Sequence, residues 1–379
     1  MGSETRQRLI EAAIDLFSSK WYGMVSVAEI CRSAGVSNGA FYRYFDNKEE
    51  IFRAILEHVV TSIERALKPV AHLSQEQRLE AMVNIVFGFS QDHTMLVRVF
   101  REGQYRLFEY EQRLKQVYIA TFSLVFGHTP STAEYIYCFG GLRFASIRAA
   151  FHQIPVDVSM LAAIIRDGML PDEPLDAARV FSTSIRPLPI DLLPDSRSRL
   201  LRAGRNLFGE KGYFETNIHE VTAAADLAIG NFYRHFKSKE DFYRELIHAV
   251  GRDVRHFISL NLDASLNMLE REMRGLWLFI LFLSMDRNCY NIVREAEFVL
   301  PDDVRAYYGA FQQGYLKQPS IAALPGAVTR IEYMLGIAHY LGIDVLFEES
   351  PVIARSVIEE LAYYYSHGLA GAGPVRRQT

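Results

Sequence analysis

Apolar residues recur at helical spacing along almost the whole chain. A first helix over residues 4–19 is predicted by one apolar face, formed by Leu9, Ala12, Ala13, Leu16 and Phe17. Further apolar runs predict helices near 75–91, 94–106, 109–127, 131–152 and 156–169, and again near 247–284, 288–299, 301–317, 325–348 and 351–369. None of these runs shows the strict alternation of apolar and polar residues that is typical of a β-strand. The pattern predicts an all-α protein.

Short polar signals divide the start of the chain into four helices. Ser26 with Glu29 forms the pattern of a capping box, and Gly35 suits the left-handed turn that ends a helix. Ser37 opens a short third helix that runs through Arg43, and Asn47 opens the fourth. Two short helices joined by a glycine turn, with a helix packed behind them, make a helix-turn-helix head.

The head occurs twice. Residues 8–56 align with residues 199–247 without a gap, and 17 of the 49 positions are identical. Asn217 with Glu220 and Ser238 with Asp241 repeat the capping signals. Prolines at 171, 174, 187, 189 and 194 predict an extended, stiff connector between two units. The predicted domains are a head at 1–50, a helical body at 51–170, a linker at 171–195, a second head at 196–241 and a second body at 242–370.

Composition narrows the classes of function. The chain has 379 residues and a net charge of −4, so any nucleic-acid contact must be a local patch. No apolar signal segment begins the chain, and the most apolar run, 276–285, is half the length of a membrane span, which predicts no membrane partner and a cytoplasmic location. Three unpaired cysteines fit a reducing compartment. No metal-ligand spacing or nucleophile motif is present, so we expect no enzyme activity, metal or cofactor.

The third helix has the features needed to enter a DNA major groove. Its leading end carries the small residues Asn38, Gly39 and Ala40, where base edges are read. Tyr42 and Arg43 suit phosphate contacts, and Lys48 opens the next helix at a position to clamp the backbone. A helix-turn-helix also occurs in protein-binding modules, so its shape alone leaves DNA and protein partners open.

The full head pattern resembles the DNA-binding head of TetR-family transcriptional regulators. The resemblance rests on Leu16-Phe17, Lys20, Tyr22, Val27, Glu29-Ile30, Ala34-Gly35-Val36-Ser37, Gly39, Phe41-Tyr42, Phe45 and Lys48-Glu49. It implies an all-helical regulator, usually a repressor that acts as a homodimer, with a ligand-sensing body whose last two helices form the dimer interface. The DNA contacts that it implies here are Ser26, Ser37, Asn38, Gly39, Ala40, Tyr42, Arg43 and Lys48, and in the second head Asn217, Gly230, Asn231, Tyr233, Arg234 and Lys239.

The second head departs from this pattern. Asp226 replaces the turn glycine, Ala228 replaces the serine cap and Ile229 follows it in place of a polar residue. Ile229 either reads a different half-site through a thymine methyl group, or the second head binds DNA weakly. Arginines at 197, 199, 202 and 205 add positive charge to the first helix of this head and favour retained binding with a different specificity.

Two units in one chain predict a pseudo-dimer. A covalent link raises the effective concentration of the partner unit, and unlike heads predict an asymmetric operator. A four-helix bundle from 131–169 and 325–369 is the expected interface, with Gly140 and Gly336 among the small residues that permit close approach. Pairing within one chain, pairing between two chains and further self-association all stay open at this point.

The bodies are rich in large apolar residues. A lipophilic small molecule, such as an acyl-CoA-like effector, is expected from the resemblance, and the candidate ligand residues are Phe87, Arg101, Tyr105, Tyr118, Phe122, Trp277, Arg294, Phe298 and Tyr308. Each of these residues also fits an ordinary core. The sequence therefore predicts a repressor released from DNA by a small molecule. The alternative is a ligand-binding or protein-interaction module whose second head no longer binds DNA.

Overall fold

The computed structural model describes residues 2–189, 195–348 and 351–370, and helices are its regular elements throughout. The first repeat contains α1 (Gly2–Ser19), α2 (Val27–Ala34), α3 (Asn38–Phe41), α4 (Lys48–Leu67), α5 (Gln75–Asp92), α6 (Thr94–Arg106), α7 (Phe108–Phe126), α8 (Thr132–Tyr135), α9 (Gly141–His152) and α10 (Val158–Asp167). A π-helical segment, Ile136–Gly140, joins α8 to α9. The all-α prediction is confirmed.

The remaining helices follow the connector. They are α11 (Ala177–Val180), α12 (Ser196–Lys211), α13 (Ile218–Ala224), α14 (Ile229–His235), α15 (Lys239–Asn261), α16 (Met268–Met285), α17 (Asn288–Val299), α18 (Pro301–Leu316), α19 (Pro319–Ala322), α20 (Ala327–Glu348) and α21 (Pro351–His367). The predicted single run over 247–284 is wrong, because the chain leaves the helix after α15. Asn267 and Glu270 then form a reciprocal capping box that starts α16.

The chain forms two compact units that do not coincide with the predicted boundary at residue 170. Unit 1 comprises the described residues within Met1–Ser131 and Gly141–Ala162, and unit 2 comprises those within Thr132–Gly140 and Ala163–Thr379. Unit 2 therefore contains two short segments from the first repeat, 132–140 and 163–170. The physical reason is that these segments pack on α20 and α21.

The contacts of these segments within unit 2 are reciprocal. The Met169 amide donates to the Tyr365 carbonyl at 2.6 Å, and the Leu369 amide donates to the Ile165 carbonyl at 2.8 Å. In the π-helical segment, the Tyr137 carbonyl accepts a hydrogen bond from the Tyr333 hydroxyl at 2.5 Å. A Cβ added to Gly140 would lie 3.6 Å from the Gly336 carbonyl oxygen, so these backbones approach closely, as the small residues predicted.

The connector is packed onto α16 where it is described. Glu173 accepts the first amides of that helix, from Met268 at 2.8 Å and Leu269 at 3.1 Å. Arg274 donates to the carbonyl of Val180 at 3.0 Å. Part of the predicted stiff spacer is therefore held against α16. The rest of the prediction, at residues 190–194, lies outside the described residues.

Candidate nucleic-acid interface and ligand cavity

The turn of the first head forms as its sequence predicts. The Ser26 hydroxyl accepts the Glu29 amide at 3.2 Å, and the Ser37 hydroxyl accepts the Ala40 amide at 3.3 Å. Gly35 has φ 65° and ends α2 in the left-handed conformation. The helix α3 ends at Phe41, two residues before the predicted end at Arg43. These bonds set the direction in which α3 leaves the turn.

The outer face of α3 presents most of the predicted DNA contacts. Tyr42 is 58% exposed and Phe41, on the opposite side, is fully buried. Asn38, Gly39 and Arg43 are exposed and Ala40 is half-buried, so the leading end of the helix is open to a partner. This is the division that the sequence predicts between an inward aromatic anchor and an outward polar face.

The second head repeats this surface. Tyr233 is 61% exposed, Arg234 is exposed and Phe232 is fully buried. Gly230 has open space where a Cβ would lie, and Asn231 and Ile229 are half-buried beside it. Asn217 caps α13 by accepting the Glu220 amide at 3.0 Å. The two heads therefore expose the same tyrosine and arginine positions, despite the substitutions in the turn of the second head.

Asp226 takes over the role of the turn glycine. Its φ is 52°, the left-handed conformation that Gly35 adopts in the first head. Arg199 donates to the carbonyls of Ala225 and Asp226, at 2.6 and 3.0 Å, as Arg8 does to the Ala34 carbonyl at 2.5 Å. Ala228 has no side-chain cap bond to α14, so the described N-terminus of this helix lacks the bond that Ser37 supplies.

The first helix of the second head exposes less positive charge than its number of arginines indicates. Arg197 pairs with Glu245 at 2.6 Å, and Arg199 holds the turn. Arg205 is drawn inward by Asp253 and Asp286, at 2.5 and 2.6 Å. Arg202 is the exposed member of the predicted group. Three of the four arginines that are expected to favour DNA binding therefore have partners within the protein.

Both predicted clamp lysines are anchored to a tyrosine. Lys48 donates to the Tyr22 carbonyl at 2.8 Å, and its ammonium lies 4.2 Å from the centre of the Tyr22 ring. Lys239 lies 4.4 Å from the Tyr213 ring in the same way. Burial lowers the pKa of both ammonium groups. These lysines are half-buried and shape the start of α4 and α15.

A buried glutamate ties each head to its body, and sequence reasoning missed it. Glu102 on α6 accepts the Tyr22 amide at 2.8 Å, and Glu295 on α17 accepts the Tyr213 amide at 2.7 Å. The sequence predicts ligand contacts for Arg101 and Arg294, the residues that directly precede these glutamates, and assigns no role to Glu102 or Glu295. Their matching positions in the two repeats were the available signal of a shared structural role.

A cavity of about 310 Å³ lies in the second body. Its walls come from α15, α16, α17, α18 and α20. The predicted ligand residues Arg294 and Tyr308 line it. The other two candidates, Trp277 and Phe298, are not among the residues that line the cavity. Trp277 packs against Phe181 with ring centres 5.5 Å apart, and Phe298 is half-buried.

The corresponding space in the first body is about 30 Å³. Arg143 occupies much of the region, since its guanidinium donates to both oxygens of Glu111, at 2.6 and 2.9 Å, and lies 5.3 Å from the Tyr118 ring. Arg101 and Tyr118 line the small space. Phe122 is fully buried and Phe87 and Tyr105 are half-buried outside its described wall. Of the first-body candidates, Arg101, Tyr118 and Phe122 are therefore buried in the packed interior.

In the described part of the chain, no cluster of three His, Cys, Asp or Glu residues is arranged to hold a metal ion. None of the helices described has the length and apolar character needed to cross a bilayer.

Comparison with known proteins places both heads in one family. Residues 9–55 and 200–246 each match the family described as bacterial regulatory proteins, tetR family. Both heads belong to the TetR family. The chain carries two TetR heads in tandem, as the repeat predicted.

Curated relatives are helix-turn-helix proteins. The chain is 37% identical over 20% of its length to the HTH-type transcriptional repressor DhaR of Mycobacterium sp., covering 38% of that protein. It is 30% identical over 27% of its length to the HTH-type transcriptional activator FasR of Mycolicibacterium smegmatis, covering 48% of that protein. The matches thus span less than half of each relative.

One solved structure that aligns with about half of the chain is also a TetR-family protein. A bacterial regulatory protein of the TetR family from Rhodococcus RHA1 aligns with 46% of this chain and 99% of its own, with 22% identity and a TM-score of 0.36.

Proposed function

We propose that the protein is a sequence-specific DNA-binding transcriptional regulator that presents two unlike heads from one chain. The observation that carries this proposal is the surface repeated in the two heads, at residues 39–43, which include the end of α3, and at residues 230–234 on α14. There an exposed tyrosine and arginine follow a glycine and a buried phenylalanine. A helix of this kind reads base edges at its leading end while tyrosine and arginine bind phosphates.

The proposed regulator pairs its own two repeats. The reciprocal backbone bonds between 165–169 and 365–369 support pairing within one chain, since a two-fold interface makes each contact twice. Each chain then supplies both heads of the family dimer. Because Ala228 and Ile229 replace the cap and the first exposed residue of α14, the two heads prefer different half-sites and the operator is asymmetric.

The second body senses the effector. Its cavity of about 310 Å³ matches the lower range of small-molecule sites, whereas about 30 Å³ in the first body holds little more than one or two water molecules. The aromatic walls favour a lipophilic ligand. In this proposal Arg101, Tyr105 and the other first-body candidates are structural, and the effector contacts Arg294 and Tyr308.

Effector binding releases the protein from DNA through α17. Val293 and Arg294 face the cavity, and Glu295 on the same helix holds the Tyr213 amide of the second head. A ligand that moves α17 also moves this bond and the Tyr213–Lys239 contact beside it. We therefore propose a repressor, the activity named for DhaR, although FasR is named an activator. Expression of a reporter gene controlled by the bound site distinguishes a repressor from an activator.

The test compares Tyr42→Ala, Tyr233→Ala and the double variant on fragments that the purified protein selects from genomic DNA. Loss of a hydrogen bond to a charged phosphate predicts about tenfold weaker binding for each single variant. The salt dependence is expected to stay unchanged, because tyrosine carries no charge that would release counterions. Tyr363→Ala, an exposed tyrosine on α21, is the matched control.

Each outcome separates the candidate functions. If Tyr233→Ala binds as tightly as the parent while Tyr42→Ala is weakened, the second head does not contact DNA. If neither tyrosine matters and no fragment is enriched by folded protein, the chain is a ligand-binding or protein-interaction module.

A further inference from the structure

We propose that the effector of the second body is an amphipathic molecule with a basic nitrogen, which the carboxylate of Glu272 binds in the cavity. This inference rests on the proposed function, because it specifies the chemistry of the effector at the same cavity. It differs from the acyl-CoA-like effector expected from the sequence, whose polar end is anionic.

Glu272 is a buried acid in the cavity wall. It lies on α16, is 7% exposed and lines the cavity next to Tyr315 of α18. The Tyr315 hydroxyl lies 2.9 Å from both carboxylate oxygens. An ionised carboxylate has about four acceptor positions, and one hydroxyl proton satisfies a fraction of them. A ligand N–H group entering the cavity therefore finds acceptor capacity on Glu272.

Burial sets the protonation of this acid. It raises the pKa of Glu272 to about 7, and the hydrogen bond from Tyr315 opposes this rise. A bound ammonium group favours the ionised form, because an opposite charge in a poorly solvated site lowers the pKa of an acid. Amine binding at Glu272 consequently releases a proton at pH values below about 7 and strengthens as the pH rises through that value.

The other charges of the wall lie where water reaches them. Arg255, Arg271, Arg294 and Glu297 are each partly exposed. Glu297 lies one turn from Arg294 on α17, where its negative charge offsets the arginine. Arg255 lies 5.4 Å from the Phe311 ring. Solvent screens these groups more strongly than Glu272, so the buried acid dominates the choice of ligand charge.

The other titratable groups of the wall are Cys289, Tyr290, Tyr307, Tyr308, Tyr315 and His339. Behind it, Tyr365 of α21 is close enough for the negative charge of Glu272 to add to the rise that burial causes in the Tyr365 pKa. Tyr308 and His339 lie 3.2 Å apart in the wall. The remaining surface is largely aromatic, with Phe279, Tyr290, Tyr307 and Phe311. Aromatic faces accept an apolar chain and attract a cation, so they support a basic amphiphile over a neutral or anionic one.

The test uses the full chain and three probes with the same ten-carbon tail: decylamine, decanol and decanoate. Calorimetric titration at pH 8 is expected to show decylamine binding about tenfold or more tighter than decanol, the effect of a hydrogen bond to a charged acceptor. Glu272→Gln is expected to remove this preference and to leave decanol binding unchanged. At pH 5.5 the preference of the parent protein is expected to shrink.

Control variants keep the result interpretable. Tyr315→Phe retains the carboxylate, so its preference for the amine is expected to persist. If Glu272→Gln does not fold, Glu272→Asp shortens the side chain and is expected to weaken decylamine more than decanol.

Several results would overturn the inference. Tighter binding of decanoate would assign ligand choice to the partly exposed arginines. Equal binding of decylamine and decanol, or an amine preference that survives Glu272→Gln, would refute the role of Glu272 and leave an effector cavity in place. Failure of all three probes to bind folded protein would refute this inference and the proposed effector role of the cavity together.

Discussion

Asp226 shows how one residue preserves a turn after its glycine is lost. The left-handed conformation is costly for most residues, and aspartate is among those that adopt it most readily. Arg199 binds the adjacent carbonyls, and the Asp226 carboxylate lies 3.4 Å from the same guanidinium. The carboxylate is fully exposed, so the backbone bonds, and not the ion pair, keep the turn in place.

Ala228 is the residue at which the second head is locally weak. We predict that Ala228→Ser stabilises α14 by about 0.5–2 kcal/mol, because a serine hydroxyl would accept the Asn231 amide as Ser37 accepts the Ala40 amide. Hydrogen exchange of the α14 amides measures the gain. Ser37→Ala is the reciprocal variant and is expected to speed exchange in α3. Unchanged exchange in both variants would show that caps do not control these helices.

At the scale of the element, α6 and α17 link each body to its head. Glu102 accepts the Tyr22 amide, and the Tyr22 ring lies between Lys48 and Arg106, whose charged groups are 4.2 and 4.4 Å from its centre. Glu295, Tyr213 and Lys239 are arranged in the same way in the second repeat. The contact between glutamate, tyrosine and lysine is therefore a structural feature that both heads share.

Removal of this acceptor should loosen the head. Glu102→Ala leaves the Tyr22 amide without its partner, and we predict a loss of about 1–3 kcal/mol in the free energy of unfolding of the first head. Limited proteolysis between α1 and α2 measures the opening. Glu102→Gln retains a carbonyl acceptor and is the matched control; equal cleavage of both variants would show that the charge, and not the bond, matters.

Sequence periodicity predicts most of these elements. The bounds of α6 and α17 agree with the predicted 94–106 and 288–299, because their apolar faces are uninterrupted. The break between α15 and α16 was missed, since apolar residues continue through it. The tie between Tyr22 and Glu102 was also missed, because the two residues are 80 positions apart and local patterns carry no record of such a contact.

The cavity marks a further limit of sequence reasoning. Both bodies are rich in aromatic residues, yet one holds about 310 Å³ and the other about 30 Å³. Cavity volume depends on how side chains fit together, as Arg143 does over Tyr118, and not on their number. The outward face of α3 could be predicted because it follows from helical spacing alone.

On the scale of the whole molecule, paired glycines permit the reciprocal contacts of unit 2. Gly168 and Gly368 have φ 92° and 63°, and each ends a helix. A Cβ on Gly168 would lie 2.6 Å from the backbone of Ser366, and one on Gly368 would lie 2.3 Å from the Arg166 carbonyl oxygen. The ends of α10 and α21 can meet this closely because the glycine that follows each helix has no side chain.

Gly168→Ala is therefore predicted to destabilise the protein by more than 2 kcal/mol, the combined cost of a left-handed alanine and a backbone clash. Denaturant unfolding measures the loss. Gly309→Ala on α18, where a Cβ meets open space, is the control and is expected to stabilise the chain by up to about 1 kcal/mol. A Gly168→Ala protein as stable as the parent would contradict the close approach.

The central claim is that one chain supplies two different heads to one operator, and the mass of the protein–DNA complex on its selected site tests this claim most directly. Light scattering of the complex, combined with footprinting, reports the number of chains and the symmetry of the site. We predict a single 43.3 kDa chain protecting an asymmetric site with two dissimilar halves. The claim would be contradicted by two chains bound to a palindrome, in which DNA shields only the first head of each chain from chemical modification.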